Sequence, residues 1–191
     1  MTPEKGAPVN KPCCDPADAK AALVCAAEDP YPMCEDVEPC PAAVLLLLED
    51  YASAKAELSA ATTYMYQAAL LREDYPRVSE ALRCIGLVEM DHIGFLAELI
   101  VKLGGDPQYN SYDNAQRKYV YWSGTNASDA KLVLDMLYQD IADEEHAIAQ
   151  YEYHARVIPI PCVKALLLRI AEDEKLHLCI LKRLAHILQP C

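Results

Sequence analysis

Residues 85–96 read Ile-Gly-Leu-Val-Glu-Met-Asp-His-Ile-Gly-Phe-Leu, and residues 170–181 read Ile-Ala-Glu-Asp-Glu-Lys-Leu-His-Leu-Cys-Ile-Leu. Each stretch places a Glu-x-x-His pair among apolar residues that recur at helical spacing. The two pairs are Glu89 with His92 and Glu174 with His177. Because positions three apart share one face of a helix, each pair can bind a metal ion through an oxygen and a nitrogen.

The polar pairs lie on the helix faces that must point into the core. The second predicted helix carries the stripe Val78, Leu82, Ile85, Glu89, His92, Leu96, Leu99 and Leu103. The fourth carries Leu167, Ile170, Glu174, His177, Leu181, Leu184 and Leu188. Glu144 interrupts the stripe of the third helix in the same way, and Glu57 that of the first. A lone buried carboxylate is costly, and a shared cation removes that cost.

Proline and glycine divide the chain into an arm and a helical domain. A Pro- and Cys-rich N-terminal arm is predicted over 1–41, with a short helix around Asp18–Ala27, and a bundle over 42–191. The predicted helices run from Pro41 to about Arg72, from Pro76 to Leu103, from a cap at Asn126 or Ser128 to near Ile158, and from the Pro159-Ile160-Pro161 break to about Leu188.

The connections between these helices select one topology. Short turns make antiparallel pairs of the first and second helices and of the third and fourth. Residues 104–128 are predicted to form an irregular crossover, which Trp122, Tyr119 and Tyr121 pack onto the bundle. A crossover of this length argues against an up-down bundle with three short loops. We therefore predict an all-α, ferritin-like four-helix bundle with one long crossover between the second and third helices.

The two helix pairs also repeat each other. The repeated residues are Glu57, Ala60, Tyr64 and Tyr66 in the first pair, and Glu144, Ala147, Tyr151 and Tyr153 in the second. A rise of about 1.5 Å per residue puts the four glutamates of the stripes at a similar depth. The repeat predicts a pseudo-twofold metal site with six candidate ligands. These are Glu57, Glu89, His92, Glu144, Glu174 and His177.

A simpler interpretation places the glutamates on helix surfaces and gives the histidines ordinary hydrogen-bond partners in the core. It would explain any one pair, but it explains all six residues poorly. Glu145 is an alternative to Glu144, although it lies off the apolar stripe. Three further histidines lack partners at ligand spacing and are expected at the surface or its boundary. They are His146, His154 and His186.

Charge and hydropathy exclude some partners. The 191 residues carry a formal net charge of −12, which argues against a nucleic-acid partner, because phosphate binding requires a basic face. No apolar run approaches the roughly 18 residues of a membrane span, so we expect no membrane partner and, by default, a cytoplasmic location.

The chain has nine cysteines, and five of them precede residue 41. None forms a C-x-x-C knuckle, so a zinc-ribbon or rubredoxin site is not indicated. Disulfides in the arm are possible, but reduced thiols are the favoured expectation. Cys84 and Cys179 lie within predicted helices and are expected to be small core residues.

The sequence from about residue 45 to 188 resembles the ferritin-like superfamily of di-iron and di-manganese carboxylate proteins. Glu57–Gln67 is similar to the first ligand helix of bacterioferritins and manganese catalases. Residues 141–144, Ile-Ala-Asp-Glu, and residues 150–152, Gln-Tyr-Glu, resemble the third helix of manganese catalases. The chain departs from rubrerythrins at Ala147, where they carry a glutamate, and from manganese catalases at Asp143, where they carry an arginine.

The resemblance implies a role for each candidate residue. Glu89 and Glu174 would bridge two metal ions, while Glu57 and Glu144 would be terminal ligands, and His92 and His177 would bind one ion each. Tyr64 and Tyr151 would hydrogen-bond the terminal carboxylates across the bundle; their simpler interpretation is as core tyrosines. The candidate catalytic residues are Glu89, Glu174, Tyr64 and Tyr151.

Carboxylate-rich sites with one imidazole per metal suit iron or manganese, and the sequence does not choose between the two ions. We expect an oxidoreductase that acts on hydrogen peroxide or dioxygen, as a peroxidase, a catalase or a ferroxidase, and that forms a homodimer. The alternative is a metal-storage or structural, spore-coat-like protein whose metal site mainly stabilises the bundle. A metal-free bundle that serves as an interaction module is a third interpretation.

Overall fold

The computed structural model describes residues 23–189, which form a helical bundle with a small β-hairpin. The helices are α1 (Pro41–Ala52), α2 (Glu57–Leu71), α3 (Pro76–Lys102), α4 (Val133–Val157) and α5 (Pro161–Leu188). The strands are β1 (Asn110–Asp113) and β2 (Lys118–Tyr121), followed by a 3-10 turn at Gly124–Asn126. The all-α, ferritin-like architecture predicted from the sequence is confirmed. None of the helices in residues 23–189 combines the length and apolar character that a membrane span requires.

Proline and glycine set the ends of the helices that were predicted well. Pro76 and Pro161 occupy the first turns of α3 and α5, where proline's missing N–H costs no hydrogen bond. Gly104 ends α3 with a φ of 84°, a backbone conformation that glycine adopts without strain. These two helices therefore begin and end within a residue of their predicted bounds.

The first bundle helix is not continuous, contrary to the prediction. Residues 53–56 leave the helical conformation and separate α1 from α2. The Ser59 hydroxyl donates to the Ser53 carbonyl oxygen, and the Trp122 indole N–H donates to the Ser59 hydroxyl at 3.0 Å. Residues 53–56 contain no proline or glycine that would predict the break. The contact with Trp122 comes from a residue 63 positions further along the chain. As a result, Glu57 becomes the first residue of a new helix.

The crossover holds more structure than the sequence predicted. β1 and β2 pair antiparallel, with Asn110 opposite Tyr121 and Asp113 opposite Lys118. Strands of four residues are too short to show a clear alternating pattern. The packing role of Trp122 is confirmed, because it contacts the core as well as Ser59. The same role is wrong for Tyr119 and Tyr121, which are 52% and 63% exposed.

The helix after the crossover starts at Val133, not at the cap predicted at Asn126 or Ser128. Instead of capping a helix, Ser128 donates its backbone N–H to the Thr63 hydroxyl at 3.1 Å. The end of the crossover is thus fixed to α2, and four more residues pass before α4 begins. A local capping motif could not reveal this tertiary contact.

The apolar core consists of two clusters with a polar layer between them. On α3, Leu96 and Leu99 belong to one cluster and Leu82 and Ile85 to the other. The Glu-x-x-His pair lies between these positions. On α5 the pair again lies between the two clusters, in reverse order along the chain: Leu167 and Ile170 of the first cluster precede it, and Leu181 and Ala185 of the second follow it. The helices therefore bring their polar residues to one level of the bundle.

Disulfides attach the described part of the arm to this bundle. Cys25 is bonded to Cys84 of α3, and Cys34 to Cys162 of α5. The expectation of reduced thiols is therefore wrong for these residues, and Cys84 is not a simple core residue. Cys179 is also disulfide-bonded, whereas Cys40 has a free thiol. Linear sequence could not show which helix positions the arm would cover.

The predicted short helix around Asp18–Ala27 lies mostly outside the described residues. Residues 23–27 are not helical. The domain boundary predicted after residue 41 stays a prediction; in the structure α1 begins at Pro41 and the arm from residue 23 onwards packs on the bundle.

Candidate metal centre

The structure brings all six predicted ligands together at the middle of the bundle. Glu57 opens α2, Glu144 lies midway along α4, and each Glu-x-x-His pair occupies the centre of its helix. All six side chains are buried, with at most 4% of their surface exposed. Their assignment as ligands stays a prediction, and the geometry below supports it.

The first half of the site surrounds the His92 ring. Its Nδ1 lies 2.9 Å from an oxygen of Glu89 and 3.1 Å from an oxygen of Glu174. A carboxylate oxygen of Glu57 lies 3.5 Å away. Three carboxylates therefore converge on one imidazole nitrogen.

The second half repeats this arrangement around His177. Its Nδ1 lies 3.0 Å from an oxygen of Glu89 and 3.0 Å from an oxygen of Glu174, with Glu144 at 3.8 Å. In both bridging candidates, one oxygen faces His92 and the other faces His177. Ligand atoms of each half lie within 4.8 Å of one another, which is the spacing of a metal-binding group.

The donor set fits two divalent cations better than hydrogen bonding alone. A single Nδ1–H can satisfy only one of the three carboxylates around it. One oxygen of Glu89 and one of Glu174 are buried without a hydrogen-bond partner. Four carboxylates carry four negative charges, which two divalent ions would neutralise. Cations between these groups would satisfy both the unpaired oxygens and the charge.

The far nitrogen of each imidazole has its own partner. Nε2 of His92 lies 3.1 Å from Asp173, and Nε2 of His177 lies 2.8 Å from the carbonyl oxygen of Cys25. A carbonyl can only accept a hydrogen bond, so Nε2 of His177 carries the proton. The lone pair of a neutral ring then lies on Nδ1, which faces the carboxylates.

The terminal carboxylates are hydrogen-bonded across the bundle. The Tyr64 hydroxyl of α2 donates to Glu144 of α4, and the Tyr151 hydroxyl of α4 donates to Glu57 of α2. These are the two hydrogen bonds that the resemblance implied. Burial and the neighbouring carboxylates raise the pKa of both tyrosines well above the usual value, so each hydroxyl keeps its proton to donate.

Without cations, this site holds protons in their place. Burial lowers the pKa of His92 and of His177, but the surrounding carboxylates outweigh burial and hold both pKa values well above 6.5. Burial and the charges of Glu174 and Glu89 raise the pKa of Glu144 well above its usual value. Metal ions would displace these protons.

A cavity of about 560 Å³ opens on the carboxylate side of the site. It lies between α2 and α4 and is closed in part by residues 124–129 of the crossover. Its lining includes the four carboxylates and Tyr64 and Tyr151, together with Ala147. The imidazoles face away from it, towards the arm. A small molecule in the cavity would therefore reach the carboxylates first.

Several residues near the site were missed or misplaced by sequence reasoning. Asp173 is not among the residues that the sequence singles out, yet it accepts a hydrogen bond from the Tyr31 hydroxyl, forms an ion pair with Arg169 and lies 3.1 Å from Nε2 of His92. Burial raises its pKa, but these donors outweigh burial and hold the pKa well below the usual range. An acidic residue beside the Glu-x-x-His pair was visible in the sequence, but its partners on the arm were not.

His154 is a correction to the expected surface position. It is buried and its Nδ1 lies 2.8 Å from Asp50 of α1. Glu145, the alternative ligand, is 55% exposed and forms an ion pair with Lys182 instead. It takes no part in the cluster.

The fold and the site together define a ferritin-like protein of the di-iron and di-manganese carboxylate class. The chain belongs to the rubrerythrin family, whose sequence model matches residues 51–185. The comparison with curated proteins gave no match.

Solved structures show the same fold. A manganese catalase from Anabaena, KatB, is similar with a TM-score of 0.73 and 22% identity, over 85% of this chain and 79% of that one. The bacterioferritin of Desulfovibrio desulfuricans gives a TM-score of 0.63 and 24% identity, over 75% and 78%. Mycobacterium tuberculosis bacterioferritin gives 0.65 and 18%, over 80% and 89%.

Proposed function

We propose that the chain binds two iron or two manganese ions and uses them in redox chemistry with hydrogen peroxide or dioxygen. Glu89 and Glu174 are the bridging ligands in this proposal. One ion takes His92 and Glu57, and the other takes His177 and Glu144. The observation that carries the proposal is that both bridging carboxylates present one oxygen to each imidazole.

The cavity supports chemistry beyond metal storage. When bound, the two ions would exchange two electrons with a small oxidant beside them. The space next to the four carboxylates, with Ala147 on its wall, can admit a molecule the size of peroxide. Likeness to a manganese catalase and to bacterioferritins supports both candidate oxidants, since each shares the fold.

The surrounding side chains would position the terminal ligands and handle protons. Tyr64 and Tyr151 hold the carboxylates of Glu144 and Glu57 by donating hydrogen bonds. A terminal carboxylate that faces the cavity can accept a proton from a bound oxidant or return it. Glu89 of α3 and Glu174 of α5 would each hold both ions. The apolar clusters on either side keep bulk water from the ligands.

Metal binding and turnover test the proposal. Purified protein, stripped of metal and titrated with Fe(II) or Mn(II), is expected to bind two ions per chain. Glu144→Ala should weaken one of these sites, whereas Glu145→Ala, the matched control, should leave both unchanged because Glu145 points away from the cluster. The loaded protein should consume peroxide or oxygen faster than the metal-free protein. Failure to bind two ions would overturn the dinuclear assignment.

Metal storage or a structural, coat-like role is the second candidate. Its support is the position of the site between two apolar clusters, where bound cations would join all four bundle helices. In this case the loaded protein would gain stability but consume neither peroxide nor oxygen above the metal-free control. The turnover measurement therefore separates the two functions.

Two expectations about assembly and location stay predictions. The homodimer can be tested by light scattering of the loaded protein. A cytoplasmic location must be reconciled with the disulfides, because glutathione and thioredoxin keep most cytosolic thiols reduced. Thiol labelling of protein from its native source would show whether these cysteines are disulfide-bonded or reduced there.

A further inference from the structure

The two imidazoles of the site are supported by unlike partners. Asp173, the partner of His92, belongs to α5 and is itself held by Arg169 at 2.7 Å and Tyr31 at 2.7 Å. The partner of His177 is the backbone carbonyl of Cys25, on the irregular arm outside the bundle. One ligand is therefore positioned by the bundle's own side chain, and the other by a separate segment of the chain.

A disulfide fixes that carbonyl in place. Cys25 is buried in a stretch without regular secondary structure, while its neighbours Leu23 and Val24 are 43% and 60% exposed. The bond to Cys84 ties the residue directly to α3, the helix that also carries Glu89 and His92. The next attachment along the arm is at Ala27, whose carbonyl oxygen accepts from Arg169. The disulfide is thus the covalent link at the position that contacts His177.

The Cys25 carbonyl decides how His177 can bind a metal ion. By accepting the Nε2–H, it keeps the ring in the tautomer whose Nδ1 lone pair faces Glu89 and Glu174. It also fixes the ring's rotation, since the buried N–H has its acceptor 2.8 Å away. Loss of such a hydrogen-bond partner typically costs about 10- to 100-fold in metal affinity.

We propose that the Cys25–Cys84 disulfide controls the affinity of the metal position at His177, by holding the Cys25 carbonyl against Nε2 of that ring. This proposal rests on the dinuclear centre proposed above. Reduction by an external dithiol would break the S–S bond with two electrons and two protons, giving two thiols and an oxidised dithiol. Cys84 is only partly buried, so a dithiol can reach the bond. The arm then loses its covalent hold at Cys25.

The other arm disulfide provides a matched control. Cys34–Cys162 joins the same arm to α5, but it lies within the apolar cluster at one end of the bundle. Removing it with Cys34→Ser also deletes one arm cross-link, while it leaves the Cys25 attachment intact. A difference between Cys84→Ser and Cys34→Ser therefore reports the contact with His177 and not the loss of a cross-link in general.

The test is a Mn(II) titration of the metal-stripped full chain against a competing chelator. The parent and Cys34→Ser should bind two ions with the same affinities. Cys84→Ser should lose about 10- to 100-fold in affinity for one ion and keep the parent's affinity for the other. Equal affinities in parent and Cys84→Ser would overturn the proposal, and so would equal losses in the two variants. A parent that binds no ions would instead remove the dinuclear centre itself.

A second readout follows the imidazole directly. In the Zn(II)-loaded parent, nitrogen NMR of labelled histidine should show His177 in one tautomer, with its proton on Nε2. In Cys84→Ser, His177 should no longer be held in that single tautomer. If Cys84→Ser does not fold, the folded parent is titrated with Mn(II) before and after reduction by dithiothreitol. Alkylation then confirms that Cys25 and Cys84 are reduced thiols. Equal Mn(II) affinities in these two states would overturn the proposal.

Discussion

The two halves of the candidate metal centre offer the same kinds of ligand, but the residues around those ligands differ. Each half offers a terminal glutamate, a Glu-x-x-His pair and a tyrosine from the opposite half. Around them, Glu144 lies within the unbroken helix α4, whereas Glu57 follows a break and opens α2. The comparison teaches that the internal repeat specifies the candidate ligands, while tertiary contacts make their surroundings unequal.

The difference continues in the buried acids beside the terminal ligands. On one side, Asp140 of α4 accepts a hydrogen bond from the Gln67 amide at 2.9 Å. On the other, Asp50 of α1 lies 2.8 Å from His154. Gln67 and His154 each lie ten residues after their terminal glutamate, so they are related by the repeat. One acid thus has a neutral partner and the other a partner that can carry charge.

Removing a bridging carboxylate should have the largest effect, because it belongs to both halves. Glu174→Ala takes one oxygen from the neighbourhood of each imidazole and should abolish stoichiometric binding of both ions. Glu57→Ala should remove one ion and leave the other. Elemental analysis after dialysis measures the metal content. Retention of two ions by Glu174→Ala would show that this residue does not bridge.

The metal-free site should make stability depend on pH. The raised pKa values of His92, His177 and Glu144 mean that the native state binds protons that the unfolded chain releases. Their stabilisation is complete below the unfolded pKa values and is lost as pH rises through the folded ones. Glu174 has a lowered pKa and acts in the opposite sense.

The contribution of Glu174 changes only below pH 4.5, so between about pH 6 and about pH 8 the raised groups decide, and the metal-free protein should have a lower melting midpoint at about pH 8. Added Fe(II) or Mn(II) should raise the midpoint, because the ions take the place of the protons. Thermal unfolding followed by circular dichroism at both pH values measures the effect. A midpoint that metal leaves unchanged would argue against buried ligands.

The meeting of the six candidate ligands at one level of the bundle could be predicted from the sequence, because helical geometry determines it. A polar residue on an apolar stripe must face the core, and two copies of Glu-x-x-His at equal depth must meet. The break before Glu57 could not be predicted, since Ser53, Ala54, Lys55 and Ala56 are all compatible with a helix. Only Trp122, distant in sequence, accounts for the contact that fixes Ser59 there.

The partners of the histidines were hidden for the same reason. The Cys25 carbonyl has no side-chain signature, because every residue carries one. Asp173 was visible, and Arg169 lies one turn before it on α5, but Tyr31 and the backbone N–H of Ala27 reach Asp173 only when the arm folds over α5. The candidate ligands follow from the pattern within each helix, whereas the partners supplied by the irregular arm, at Cys25, Ala27 and Tyr31, do not.

Neutralising the two buried acids should give opposite results. Asp50→Asn should cost about 3 kcal/mol of unfolding free energy, because it leaves the buried His154 without its charged partner. Asp140→Asn should stabilise the protein by about 1–3 kcal/mol at about pH 8. Burial raises the pKa of Asp140 to about 7, so the native state disfavours its ionised form at that pH.

Denaturant unfolding at about pH 5 and about pH 8 measures both effects. The native pKa of Asp140 lies above the unfolded value, so its contribution to stability falls as pH rises towards 7 and then levels off. The advantage of Asp140→Asn should therefore be clearly larger at the higher pH than at the lower. An equal advantage at both pH values would assign the gain to packing and not to ionisation.

The smallest effect is expected at the helix break. Trp122→Phe keeps the aromatic packing of the crossover but removes the indole N–H that donates to Ser59. Loss of one partly buried hydrogen bond should cost about 1 kcal/mol. If this contact positions the first turn of α2, the metal ion at Glu57 should also dissociate more easily, while the ion at Glu144 does not. Equal weakening of the two ions would show that the break matters to the whole bundle and not to the half that contains it.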